Sequence, residues 1–311
     1  MLSNSQIQIE TEIEKKYSFS GHETFPFRYT WLSKGVLKVQ EYPNLFVRDD
    51  AMIILGVGKN MVRSIRHWCE TLGLIFSPKR GKFEPTLLGL NIFGENGWDP
   101  YLENPATLWL LHWLLGSRWE KNSTWFLAFT RWGAPYFTKE QLVNWIWNQV
   151  QDNKGVRATR NSIKRDVDVF IRTYTPSRVS NKKLLEDSFD CPLVELGLIS
   201  ELDKNLFGFF IGPKLSLPHE IFVFALLEYY ELNSPDQNAL SFESLLLGPG
   251  SPGRVFLLNE NSLFSRLENL PSWSSLQYDD TAGMRVVYRN SKERKQPIDI
   301  LTRFNKISRE I

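Results

Sequence analysis

Cysteine is nearly absent: the 311 residues include only Cys69 and Cys191, neither in a CxxC pair nor beside a histidine cluster. That excludes a disulfide framework and a cysteine-based zinc centre, and two buried thiols are expected instead. Apolar runs of membrane-spanning length are also missing. Residues 1–18 carry Glu10, Glu12 and Glu14 ahead of Lys15 and Lys16, without the apolar stretch and cleavage site of a signal peptide. A cytoplasmic protein with a flexible N-terminus over residues 1–18 and no membrane partner is the expectation. The chain has no GxxxxGKS/T phosphate loop; Gly56-Val57-Gly58-Lys59 lacks both the spacing and a preceding strand. It has no GxSxG elbow, and His22-Glu23 runs into Thr24, Phe25 and Pro26, where an HExxH helix would break. Nucleotide hydrolysis and zincin chemistry are therefore disfavoured. The 37 basic and 35 acidic residues nearly cancel, so any nucleic-acid contact must come from a local basic footprint.

What is present is a helix-rich pattern with one grammar used three times. In the first segment Arg48 to Leu55 reads as a helix, Gly56-Val57-Gly58 as a turn and Lys59 to Leu72 as a second helix. Met61, Val62, Ile65, Trp68, Cys69 and Leu72 share one arc of that helix, and Lys59, Arg63, Arg66 and Glu70 the opposite one. Leu74-Ile75-Phe76 and Lys82-Phe83-Glu84 then read as a ribbon with a basic tip at Lys79-Arg80. Helix, tight turn, basic helix and basic hairpin is the winged-helix plan. The second segment opens on a capping box, Thr138-x-x-Gln141, and continues into a basic amphipathic helix from Thr159 to Tyr174 with Arg160 and Lys164 outward. A hairpin turning through Leu202-Asp203-Lys204-Asn205 follows. The third places helices at Ser241–Leu247 and Asn259–Leu270 before a hairpin across Asp279-Asp280-Thr281-Ala282-Gly283, with Arg285 and Arg289 on its exit strand.

Eight of the 11 Trp lie between Trp98 and Trp147, and Trp109 and Trp113 repeat at helical spacing. A helical core is preferred to a base-stacking platform, because stacking needs exposed rings interleaved with cations. The expected fold is α+β, mostly α-helical, with tandem winged-helix units joined by this Trp-rich helical core. The division is 19–97 for the N-terminal unit, 98–235 for the helical middle with a second helix-turn-helix, and 236–311 for the C-terminal unit and its basic tail.

Lys59, Arg63, Arg66, Lys79, Arg80 and Lys82 are the first candidates for DNA contact, with Arg160, Lys164, Arg285 and Arg289 behind them; the alternative is a solvated or protein-binding face. Asp152-Asn153-Lys154 and Glu293-Arg294-Lys295 match a short acid-x-Lys nuclease pattern that recurs in any charged loop, and Asp49-Asp50 and Asp279-Asp280 read more economically as a helix start and a turn. No metal site is evident. His22 and Glu23 form the candidate catalytic pair, since a histidine beside a carboxylate can act as a base near neutral pH. A self-satisfied structural cluster with Arg28 is the preferred alternative.

The run Phe19-Ser20-Gly21-His22-Glu23-Thr24-Phe25-Pro26-Phe27-Arg28, leading to Trp31-Leu32-Ser33-Lys34-Gly35, resembles the opening of the SspB-like family catalogued as DUF4007. The resemblance extends over nearly the whole chain. It implies a place in bacterial DNA phosphorothioation or the linked anti-phage defence, beside a cysteine desulfurase, an ATPase and a PAPS-reductase-like sulfur-transfer enzyme. It also implies nicking of one strand to admit sulfur, which would call for Mg²⁺ or Mn²⁺. The residues by themselves show no cofactor and no nuclease centre, so a DNA-recognition module that recruits such enzymes and a winged-helix protein scaffold or regulator remain open.

Overall fold

The structure, a computed structural model, describes residues 17–151, 158–177, 191–281, 283–289 and 295–301. The acidic N-terminal stretch before Tyr17, Asp152–Lys154, Arg157, and Glu293 and Arg294 lie outside the described residues.

The first part of the chain folds as α1 (Tyr29–Glu41), α2 (Ala51–Leu55), α3 (Lys59–Thr71), the hairpin β1 (Ile75–Lys79) and β2 (Lys82–Pro85), and α4 (Leu87–Phe93). Helix α2 starts three residues later than its sequence pattern suggests. Arg48 is extended, and Asp50 at the N-cap spends its carboxylate on the Arg48 guanidinium (2.7 and 2.8 Å) instead of capping the helix. Between α2 and α3 the chain turns at Gly56, whose φ of +66° suits a residue without Cβ. The hairpin is anchored from below, where buried Phe83 meets Phe46 edge-on at 5.2 Å and its N–H donates to the Pro43 carbonyl (2.7 Å).

The remainder repeats one topology. The second unit runs α5 (Pro105–Gly116), α6 (Ser123–Phe126) with a π-helical continuation at Leu127–Arg131, β3 (Tyr136–Thr138), α7 (Lys139–Val150), α8 (Arg160–Tyr174), β4 (Ile199–Asp203) and β5 (Leu206–Phe209). The third runs α9 (His219–Asn233), β6 (Ala239–Ser241), α10 (Phe242–Leu247), α11 (Pro252–Val255), α12 (Glu260–Glu268), β7 (Leu276–Thr281) and β8 (Met284–Arg289). Their antiparallel sheets have the same order, β3-β5-β4 and β6-β8-β7, so the strand before the helices pairs with the last strand of the hairpin. Phe137 faces Phe207 and Leu240 faces Val287 across these pairs, burying one side of each short strand. The described residues are thus mixed α and β, with three small antiparallel sheets among them.

Helix α5 lies at the centre and is buried on every side. Its indoles reach outward to neighbouring elements: Trp109 Nε1 donates to Ser216 Oγ (3.1 Å) and Trp113 Nε1 to the Glu228 carboxylate. His112 bridges Tyr174 on α8 (2.8 Å) and the Val255 carbonyl on α11 (2.8 Å), tying the second and third units to one core. Among the described residues no helix is long and apolar enough to cross a membrane.

Candidate nucleic-acid interface

Residues 18–26 form a turn that most side chains would resist. Ser20, Gly21, Glu23 and Thr24 all have positive φ, of 72, 102, 49 and 68°. For a β-branched residue such as Thr24 the left-handed region costs about 1–2 kcal/mol. Gly21 has no substitute, because a Cβ there would stand 2.5 Å from His67 Nδ1. Backbone held in this way requires strong surroundings.

Those surroundings are α3 on one side and α8 on the other. His22 is buried and stacks on Trp68 of α3, with ring centroids 6.0 Å apart and planes at 16°. Its Nδ1 accepts the Thr24 N–H (3.2 Å), which leaves Nε2 to donate to Asp166 Oδ1 on α8 (3.0 Å). Asp166, 1% exposed, also accepts from the Ser20 N–H (2.8 Å) and from Thr124 Oγ1 (3.3 Å). Trp68 Nε1 donates to the Phe25 carbonyl (3.0 Å), and Arg172 of α8 donates to the Thr24 carbonyl (2.6 Å). Glu23 is half-buried beside Arg63 of α3 at 3.7 Å. The turn is a clamp between two basic helices, with Asp166 and Arg63 as the partners of His22 and Glu23 where the sequence suggested a cluster closed by Arg28. Behind it lies a hollow of about 290 Å³ bordered by His67, Glu70 and Lys121. Burial, with the nearby His22, Lys121 and Arg66, pushes the His67 imidazole down to about 3, so it is neutral at physiological pH.

The clamp does not make a site for a hard divalent cation, which takes several converging oxygen ligands. Both Asp166 oxygens already accept hydrogen bonds, and Glu23 is turned toward Arg63. Among the described residues no group of three or more His, Cys, Asp or Glu is placed to hold a metal ion.

The cationic candidates separate into two groups. Lys59, Arg63 and Arg66 fall along one exposed stripe of α3, and Lys79, Arg80 and Lys82 are exposed at the hairpin tip. Arg63 and Arg66 lean on Glu23 and Glu70 at 3.7 and 3.6 Å; Lys59, Lys79, Arg80 and Lys82 make no ion pair with the described residues. On α8, Lys164 and Arg165 are exposed, and Arg160 is exposed beside Asn144 and Glu140. Arg289 must be withdrawn as a contact residue. It is 6% exposed and bound to Glu231 (2.9 Å) and the Ser234 and Pro235 carbonyls, because the strand's alternation points it inward with Val287. Arg285 is half-buried, over the Phe242 ring at 4.2 Å and paired with Glu260 at 2.8 Å. Asp279 and Asp280 are strand residues of β7 and not the turn, facing Val286 and Arg285. The third hairpin therefore lacks the free cationic tip of the first.

A family described as "Protein of unknown function (DUF4007)" matches residues 19–304. The chain belongs to the DUF4007 family. Among solved structures it is similar to SspB with bound magnesium ion, at 31% identity and a TM-score of 0.83 over 94% of this chain and 89% of that one. A second SspB crystal structure matches at 30% identity and 0.83, covering 96% and 92%. No curated protein matches the chain. The protein is an SspB-like DUF4007 member, and the clamp is built from the very segment, Gly21 to Phe25, that carries the family resemblance.

Proposed function

We propose that this chain is a double-stranded DNA-binding component of a bacterial phosphorothioate-modification or linked defence system, and that its three units are winged helices. The observation that carries the reading is the pairing of an exposed cationic stripe on α3 with an exposed cationic hairpin tip, Lys59, Arg63 and Arg66 with Lys79, Arg80 and Lys82. A second helix following a tight turn can enter a major groove while the hairpin touches the flanking backbone. The phosphorothioation setting comes from the family resemblance, which also supplies the sulfur-handling enzymes as partners. With six such cations on phosphates, affinity should fall about 10³-fold between about 50 and 200 mM salt. Fluorescence anisotropy on a labelled duplex tests this: Arg63→Glu with Arg66→Glu should weaken binding at least about 100-fold and lower the salt slope by about 2. Unchanged affinity would show that α3 is not the contact helix.

A second reading, that this chain itself nicks one strand, is supported by magnesium in a related SspB structure. Incubating supercoiled plasmid with the protein and Mg²⁺ or Mn²⁺ separates the two. Open circles that disappear on Glu23→Ala, with DNA binding retained, would favour the nickase. Binding without cutting favours a recognition and recruitment role.

A further inference from the structure

We infer that α3 and α8 form one continuous track for duplex backbone, and that the clamp of residues 18–26 sets the spacing between them. This rests on the DNA-binding reading above and names how that site is built. Arg63 from α3 and Arg172 from α8 meet neighbouring residues of one turn, Glu23 and Thr24, so the exposed faces of the two helices adjoin there. From Arg63 the cationic stripe continues along α3 to Lys59 and Arg66. From Arg172 it continues two helical turns back to Arg165, with Lys164 alongside. Asp168, the acid on that face, is neutralised by Lys139.

The occupant this surface fits is paired backbone. Of the aromatic rings of the region, His22, Trp68 and Trp125 pack edge and face on one another in the interior, and half-buried Phe25 is turned edge-on against Trp31, so the track presents mainly charge to a ligand. Its rigidity comes from below. His22 and the Ser20 N–H bind Asp166 of α8 through buried hydrogen bonds, while His22 stacks on Trp68 of α3 and Trp68 Nε1 donates to the Phe25 carbonyl, so the strained turn is fastened to both helices. His22 and Asp166 are thus positioning residues for a composite interface, His22 from the turn and Asp166 from α8.

The test is the salt slope of duplex binding by the full chain on oligonucleotides of about 8 and about 24 base pairs, since successive helix-turn-helix contacts need about one helical turn each. Two surface pairs are compared, Arg63→Ala with Arg66→Ala on α3, and Lys164→Ala with Arg165→Ala on α8. On the longer duplex each pair should lower the slope by about 1.8. On the shorter duplex the native chain should show a slope already reduced toward that of the α8 pair. His22→Ala, where circular dichroism shows a folded chain, should lose the preference for the longer duplex and keep its affinity for the shorter one. If the α8 pair leaves slope and affinity unchanged while the α3 pair reduces both, the continuous track is overturned and DNA binding stands. If the native chain shows no salt-dependent binding at either length, the DNA-binding reading itself fails. A single strand bound as tightly as the duplex, with both pairs contributing, would overturn the assignment to paired backbone.

Discussion

Replacing His22 by alanine should cost this protein about 3 kcal/mol of stability. The ring is 1% exposed and donates to Asp166, so its loss removes one of the hydrogen bonds to a buried carboxyl group, a penalty of about 1–3 kcal/mol. The imidazole also packs on Trp68 and Trp125, and the space it vacates adds about 1–2 kcal/mol at about 24 cal/mol per Å³. One effect limits the loss. With the clamp open, the left-handed residues Ser20, Glu23 and Thr24 can relax, which returns part of their strain and caps the cost at the free energy of docking residues 18–26. Urea denaturation followed by tryptophan fluorescence should show the midpoint lowered by about 1 M at an m-value near 3 kcal/mol/M, with the slope retained. Near-ultraviolet circular dichroism should change as well, because Trp68 and Trp125 lose their neighbour. In a double-mutant cycle with Asp166→Ala, a coupling of at least about 1 kcal/mol is expected. A loss below about 0.5 kcal/mol for His22→Ala, or additive single effects, would show that the clamp holds nothing together.

Glu23→Gln should tighten duplex binding about 3-fold to 10-fold at low salt, since it removes the carboxylate beside Arg63; weaker binding would mean that Glu23 serves the ligand directly. Gly89→Ala should destabilise by at least about 2 kcal/mol, because a Cβ would sit 2.2 Å from the Leu74 carbonyl oxygen, and a chain with unchanged midpoint would refute that close approach. Stability should also fall in acid. Burial holds His112 down to about 4 in the folded chain against 6.5 in the unfolded one, so below about pH 6.5 the unfolded state takes up a proton that the folded state refuses. Its contribution is complete above pH 6.5 and falls by on the order of 3 kcal/mol by pH 4, with half-buried His67 acting in the same direction. Equal urea midpoints at pH 7.5 and 4.5 would contradict this.

The helices and hairpins were legible wherever a period or a cap marked them. The two arcs of α3 are separated as its sequence indicates, and Thr138 and Gln141 complete their capping box. The strands β3 and β6 were not legible, because three residues show no period and each is defined by a partner far along the chain. The clamp was half legible. Gly21 to Phe25 stands out as a polar cluster among aromatics, yet its partner Asp166 lies 144 residues beyond His22. A signal for it did exist: Asp166 is three residues after Ile163 and four before Phe170, on the buried arc of α8, where an acid must find a partner. The same test applied to β8 would have turned Arg289 inward beside Val287.

The separation between clamp and partner also orders the protein's assembly. During synthesis the amide of Ser20 appears 146 residues before the carboxyl group that it binds. At about 5–20 residues per second, roughly 7–30 s pass in which α3 can form but the turn beside it has nothing to close upon. The earliest described residues are therefore among the last to settle, and their docking reports that the second basic helix has arrived. Amide protection at Ser20 would act as a completion signal, distinguishing a chain with both helices in place from one that has stopped after the first.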